Sequence, residues 1–354
     1  MAEPWTVKRV LEWTRGYLAR NGDEHPRLSA EWMLSAVTGK SRVELYLAYD
    51  EPLEKAELDQ MHAAIERRAA GEPLQYVTGE MAFRHLVIRC EREVLIPRPE
   101  TELLVEEVLG YLDALPERAV SRTEEPDPST TEEPKDPEPQ AEEDGAERYV
   151  PLEEESEQPA AEEPGLAESL VADRGDLSDN GLRVLEVGTG TGCIALSIAS
   201  ERPGTRVWAT DLSPAAVALA TRNRDSQGLA EAVEVIQCDL AAGVPGDLLG
   251  TFDVLVSNPP YIPTAVMGEL PREVAGFEPK LALCGGEDGL DVFRRLVELA
   301  PVALRPGGLF ACELYEGHLE QAAELVRSQP GWASVEVKED LTHRPRMLLA
   351  VREG

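Results

Sequence analysis

From Leu182 to the C-terminus, short apolar runs alternate with segments of helical period, and this alternation restricts the fold more than any other feature of the chain. The runs Arg183–Val187, Arg206–Thr210, Val233–Gln237, Phe252–Ser257 and Leu309–Leu314 read as strands, followed by two late ones at Ser334–Glu339 and Met347–Val351. Helices are predicted near Gly192–Glu201, Pro214–Ser226, Gly289–Ala300 and Gly317–Ser328. Ser213 before Pro214 is a helix start, a capping hydroxyl followed by proline at the first helical position. Strand–helix alternation of this kind predicts an open α/β sheet that binds ligands at the carboxyl ends of its strands.

Glu186-Val187-Gly188-Thr189-Gly190-Thr191-Gly192 closes the first of these strands and opens a helix. Glycines there let the backbone turn sharply and approach a ligand closely. A G-x-G-x-G run also occurs in dinucleotide folds, but the spacing is not G-x-G-x-x-G, and no Lys-Ser/Thr follows to cradle phosphates. Asp211, ending the second strand, is placed to accept both hydroxyls of a ribose. Asp239, after the third, can reach an adenine amine or its edge, and Glu186 can face an ammonium directly or through water. Together they point to S-adenosylmethionine, with Gly188, Thr189, Gly190, Thr191, Gly192, Asp211 and Asp239 as candidate cofactor residues. The competing readings are plain strand–helix turn chemistry for the loop and a surface cap for Asp211.

Asn258-Pro259-Pro260-Tyr261 follows the fourth strand. An amide or exocyclic amine nitrogen is a poor nucleophile because its lone pair is delocalised. Fixed acceptors for its two N–H groups pin it and return electron density to nitrogen. The Asn258 side-chain oxygen is one acceptor and the Pro259 carbonyl a second, on a loop stiffened by two prolines; Tyr261 offers a flat face to the substrate plane. Asn258, Pro259 and Tyr261 are therefore candidate catalytic residues, and Asn258, Pro259, Pro260 and Tyr261 candidate substrate contacts. The plainer reading is a Pro-Pro turn opened by an Asn. In-line transfer of a methyl group to such a nitrogen rests mainly on positioning and desolvation. The nitrogen becomes acidic only once methylated, so no strong general base is required beforehand.

The rest of the 354 residues frames this core. Residues 1–75 read as four short helices, a small bundle with Trp13, Trp32, Leu34 and Leu58 as expected core, whose surface fits substrate recognition and mere packing equally. Residues 76–115 read as a hairpin, strands Tyr76–Phe83 and Leu86–Cys90 around Arg84-His85, leading through a rigid proline-rich piece into a helix that ends near Leu115. Residues 116–180 are rich in Glu, Pro, Ala, Asp and Ser, with 22 acidic and 5 basic residues between Glu117 and Asn180. Such a segment buries too little apolar surface to offset its ordering entropy and is expected to be disordered. It reads as an insertion, with helix 100–115 and strand 183–187 expected side by side, ahead of a catalytic domain over 181–354. A formal charge of −33 argues against stable nucleic-acid binding. No apolar run reaches membrane-spanning length. Five scattered cysteines and five histidines without ligand spacing predict a reducing, cytoplasmic setting and no metal.

Pro73-Leu74-Gln75-Tyr76 with Gly79-Glu80, Ile96-Pro97-Arg98-Pro99-Glu100-Thr101-Glu102, Gly188–Gly192, Asn258–Tyr261, and Phe277-Glu278-Pro279 with Gly285-Gly286 together resemble the bacterial release-factor glutamine methyltransferases. The resemblance covers nearly the whole chain except the acidic segment. It implies methylation of the side-chain amide (N5) of the glutamine in the Gly-Gly-Gln loop of class 1 peptide chain release factors. It also implies a seven-stranded, Rossmann-like class I methyltransferase sheet with the last strand antiparallel. In the family the glycine loop and the acid matching Asp211 hold the cofactor, and the segment matching Asn258–Tyr261 holds the glutamine amide, with the Asn also beside the cofactor. Asn-Pro-Pro-Tyr alone is shared with adenine-amino (N6) DNA or RNA methyltransferases and with ribosomal-protein glutamine methyltransferases, which remain alternatives; a non-catalytic cofactor-binding protein is another. The chain departs from the family pattern in the acidic segment and in the residues after Glu313. Arg98, Glu278 and Pro279 fit scaffolding as well as substrate contact and are not assigned to the site.

Overall fold

A computed structural model describes residues 4–115 and 181–354; the acidic segment 116–180 and the expectation of disorder there lie outside the described residues. The chain opens with α1 (Val7–Arg20), α2 (Pro26–Thr38), α3 (Arg42–Leu47) and α4 (Lys55–Ala69). Their boundaries are chemical. The Thr6 side chain accepts from the Arg9 amide to start α1, Gly39 closes α2 in the left-handed conformation, and Ser41 and Glu44 form a reciprocal capping box on α3. Leu18, Met33, Leu34, Leu45 and Met61 fill the centre of the bundle, with Leu58 packed at its edge.

Trp13 and Trp32 are not core, contrary to expectation: they are 45% and 42% exposed. The inward stripe of α1 runs through Val7, Val10, Leu11, Thr14 and Leu18, leaving Trp13 on its flank, stacked on Tyr17. Trp32 lies under the Arg42 guanidinium. The stretch expected as one strand from Tyr76 divides. Leu74–Thr78 is a helical turn, α5, closed by left-handed Gly79, and only Glu80–Phe83 (β1) pairs antiparallel with Leu86–Arg89 (β2). The Tyr76 hydroxyl donates to the Val94 carbonyl at 2.6 Å, a tertiary anchor that overrides the strand propensity of Tyr, Val and Thr.

After α6 (Thr101–Ala114) the order is β3 (Arg183–Val187), α7 (Cys193–Glu201), β4 (Arg206–Asp211), α8 (Pro214–Ser226), β5 (Val233–Gln237), β6 (Phe252–Ser257), α9 (Arg272–Ala275), α10 (Lys280–Leu283), α11 (Asp291–Ala303), β7 (Leu304–Glu313), α12 (Leu319–Arg327), β8 (Trp332–Glu339) and β9 (Pro345–Arg352). One seven-stranded sheet results, ordered β5-β4-β3-β6-β7-β9-β8. β3 to β7 pair in parallel, and β9 runs antiparallel to both β7 and β8. Alternate residues of the central strands feed opposite cores. Val184, Val254 and Val256 pack with α6 and α7, while Leu185, Leu255 and Phe310 pack with α11 and α12. α6 lies against α7, β6 and β7, and its Leu104, Val105, Val108 and Leu112 share a core cluster with Val184 of β3.

The bundle is tied to the catalytic half by charge. Arg68, 9% exposed, donates to the Asp23 carboxylate at 2.8 Å and to Glu273 of α9 at 2.7 Å. Among the described residues no helix is long and apolar enough to cross a membrane.

Candidate active site

The sheet order reverses at β3: β4 lies on one side of it and β6 on the other. A crevice forms at such a point because successive connections leave in opposite directions. The Val187–Ser257 register puts the glycine loop after β3 and the Asn loop after β6 next to each other. They share a cleft whose walls are lined by residues of both loops.

Gly188, Thr189, Gly190 and Thr191 line the cleft. The Gly188 and Thr189 amides donate to the Thr210 carbonyl, fixing the loop against β4. Gly192 stands behind them as the residue preceding α7, at φ 86°, where a Cβ would press on Leu196 and Ala220. Asp211 lines the cleft, and its carboxylate accepts from the Gly190 amide at 2.9 Å and the Ser213 amide at 2.8 Å. A carboxylate has about four acceptor sites, so these two bonds aim the group and leave capacity for hydroxyls. Burial raises the Asp211 pKa, and the loop amides oppose that shift. Asp239 also lines the cleft but is half exposed and paired with Arg295 at 2.7 Å, so its adenine role would compete with an ion pair.

Glu186 is 1% exposed and borders the cleft. One of its oxygens accepts from the Thr189 hydroxyl at 2.6 Å and the Ala195 amide at 3.2 Å; the other is buried without a partner. Burial pushes this carboxyl up to about 8, the Thr189 and Ala195 bonds pulling the other way. An unpartnered buried acceptor is costly, and a ligand ammonium would satisfy it.

Asn258 and Pro260 line the same cleft, whereas Pro259 and Tyr261 do not. Pro259 is buried; among the described residues no donor reaches its carbonyl. The Tyr261 side chain packs against the core beneath α11 and α12, and burial, then the neighbouring Glu313, pushes its phenol up to about 12. The loop leaves the site along a backbone seam: the Ile262 amide donates to Leu283, and the Gly285 amide to Ile262.

Several site residues were not assigned from sequence. Asn258 Nδ2 donates to the Thr101 hydroxyl at 3.2 Å, and that hydroxyl donates to Glu313 at 2.7 Å. Arg98 and Pro279 border the cleft, and Arg98 is paired with Glu278 at 2.6 Å. Glu278 is 2% exposed at its side chain and also accepts from the Ile96 amide. Proline-rich Ile96–Pro99 is thereby held against the segment that follows the Asn loop. The Pro-Arg-Pro-Glu-Thr run was the signal for these residues, but it names no partner.

Two families match the sequence: PrmC N-terminal domain over residues 9–79 and methyltransferase small domain over residues 167–268. A curated relative from Geobacter sulfurreducens, named release factor glutamine methyltransferase, is 36% identical over 90% of this chain and 87% of its own length. The chain belongs to the release factor glutamine methyltransferase family. A second member, from Chlorobaculum tepidum, is 34% identical over 97% of this chain and 96% of its own. Among solved structures, a protein-(glutamine-N5) methyltransferase (release factor-specific) from Alicyclobacillus acidocaldarius matches at 25% identity, covering 73% of this chain and 95% of that one with a TM-score of 0.35. The match to the Chlorobaculum tepidum relative runs through both the helical bundle and the sheet.

Proposed function

We propose that this protein transfers a methyl group from S-adenosylmethionine to the side-chain amide nitrogen of the glutamine in the Gly-Gly-Gln loop of class 1 peptide chain release factors, in the cytoplasm. The observation that carries the reading is the Asn258 amide, its nitrogen engaged by Thr101 and its oxygen left for the cleft it shares with the glycine loop. A glutamine amide presents two N–H donors; Asn258 Oδ1 would accept one from the cleft wall, and the Pro259 carbonyl, which lies off that wall and accepts from no donor among the described residues, would accept the second. Family membership favours this substrate over a nucleic-acid base, as does the −33 formal charge.

The residues suited to the cofactor are Glu186 for its ammonium, the Gly188–Gly192 loop for the amino-acid portion and Asp211 for the ribose; a Cβ added at Gly188 or Gly190 would meet nothing within 4 Å, so the loop leaves room for a close approach. When bound, the cofactor supplies an electrophilic methyl group on a sulfonium. The protein's part is to fix the substrate nitrogen in line with that methyl group and to keep bulk water from it. The two acceptors would polarise the N–H bonds, and the proton, acidic once the nitrogen is alkylated, would pass to water as the methylated product leaves the cleft. The 1–75 bundle would contact the body of the release factor.

Labelled S-adenosylmethionine, offered with a release factor, the same factor with its loop glutamine replaced, ribosomal proteins and duplex DNA, tests this. The expected result is label on that glutamine alone, located by peptide mass spectrometry. Label on ribosomal protein or DNA would overturn the substrate.

A further inference from the structure

An Asn side chain can turn either end toward a cleft, and its two ends have opposite polarity. The function proposed above needs the oxygen end, since only that end accepts a substrate N–H. Ser257 anchors the backbone just before it, donating to the Val187 carbonyl at 2.7 Å, but leaves the Asn258 amide free to rotate about its own bonds.

Thr101 and Glu313 supply the missing constraint. They stand at the start of α6 and the end of β7, and are 2% and 1% exposed. A carboxylate only accepts, so the single Thr101 proton is committed to Glu313 at 2.7 Å. Towards Asn258 that hydroxyl then has only lone pairs, and the 3.2 Å contact must come from Nδ2. A carboxylate buried for stability alone would be a poor choice, since apolar packing of similar volume commonly serves as well.

We propose that Glu313, through the Thr101 hydroxyl, fixes the orientation of the Asn258 amide and so holds its oxygen towards the substrate nitrogen; both are positioning residues. This deepens, and rests on, the glutamine-methylation reading. The relay has a sense that a proton reverses. A protonated Glu313 can donate to Thr101, whose own proton then turns to Asn258 and presents Nδ2 to the substrate, where it repels an N–H. The charged and titratable groups facing Glu313 are Arg346 on β9, Arg98 and Glu100 before α6, Tyr261 after β6 and Cys193 on α7. Burial dominates and pushes Glu313 up to about 7, Thr101, Arg346 and Arg98 opposing it and Glu100 adding to it. Methyl transfer at saturating cofactor should therefore fall as the pH drops below about 7.

The test uses the full chain with release factor as acceptor. Thr101→Val keeps the shape and removes the hydroxyl. It should lower kcat about 100-fold, the usual scale for a misplaced reacting group, while the Kd for S-adenosylmethionine stays within about twofold. Thr101→Ser should restore most of the rate. Glu313→Gln should abolish the acid limb of the kcat–pH profile. Wild-type kcat in Thr101→Val, or an acid limb surviving in Glu313→Gln, would overturn the relay. A second readout needs no acceptor: the side-chain amide resonance of Asn258, identified by its loss in Asn258→Asp, should titrate with pH in the wild type and stay constant in Glu313→Gln. An absent titration in the wild type overturns the relay. Titration without methyl transfer to the release factor instead overturns the substrate and leaves the relay standing.

Discussion

At the scale of single residues, Glu186 is the most exposed to test, because it carries two opposing demands. Its folded pKa of about 8 lies above the usual carboxylate value of 4.5. The unfolded chain therefore ionises first, and this group lowers stability as pH rises from about 4.5 to about 8. Glu186→Gln should accordingly raise Tm relative to the wild type at pH 8 and much less at pH 5. The same change removes the partner expected for the cofactor ammonium, so affinity for S-adenosylmethionine should fall about 10- to 100-fold, the scale of one charge-assisted hydrogen bond. Melts at the two pH values and a calorimetric titration check both halves; a lower Tm at pH 8 would remove the account of strain. Asn258→Ala should leave cofactor binding largely intact and abolish transfer, and equal loss of both would erase the division of roles. The glycine loop, Asp211 and Asn258 were legible in the sequence because each sits at the end of a strand that announces itself. Thr101 and Glu313 were not, since their partnership spans 212 residues and no local pattern encodes it.

Elements were easier to read than contacts. The strands of the sheet centre appear as apolar runs because both faces are covered, and β3 and β6 fall where the runs predict. β7 begins earlier than the run at Leu309, at Leu304, since Arg305-Pro306-Gly307-Gly308 reads as a turn yet continues the strand beyond a register shift opposite Phe252–Val254. Ser213 caps α8 as expected, accepting from the Ala216 amide, and Ser213→Ala should cost about 1 kcal/mol in a denaturant melt. The misread bundle tryptophans show what periodicity leaves open. It identifies a stripe, but not which flank meets another helix. The seam behind the Asn loop offers a sharper test. A Cβ on Gly285 would lie 2.5 Å from the Gly289 carbonyl oxygen and 2.6 Å from that of Pro260, both backbone atoms with nowhere to go. Gly285→Ala should cost roughly 1–3 kcal/mol by overpacking and displace the Asn loop. A wild-type kcat in this variant would show that the loop holds its place without the seam.

For the molecule as a whole, both ends of the described structure that flank the acidic segment are already anchored. Leu115 and Leu182 pack in the same core, and Arg202 after α7 pairs with Asp113 near the end of α6 at 3.0 Å. The fold on either side therefore does not need the segment to close it. Replacing residues 116–180 by a Gly/Ser linker of about 15 residues should leave Tm equal or slightly higher, because each halving of a loop returns about 0.6 kcal/mol. Transfer to a release factor should persist; its loss, with the melt unchanged, would assign the acidic residues a part in substrate capture.

The Arg68 junction has a consequence for how a large substrate is met. Its guanidinium joins Asp23 of the bundle to Glu273 of α9. Charges gathered from distant stretches in this way favour one arrangement over many. A protein that grips the bundle would thus grip a surface whose angle to the methylation site was settled when the chain folded. If the bundle is the surface a release factor grips, as proposed above, the search after first contact would be confined to one loop finding one slot. Docking would then act as aiming, and a short peptide with the same glutamine would have to supply that aim from its own freedom.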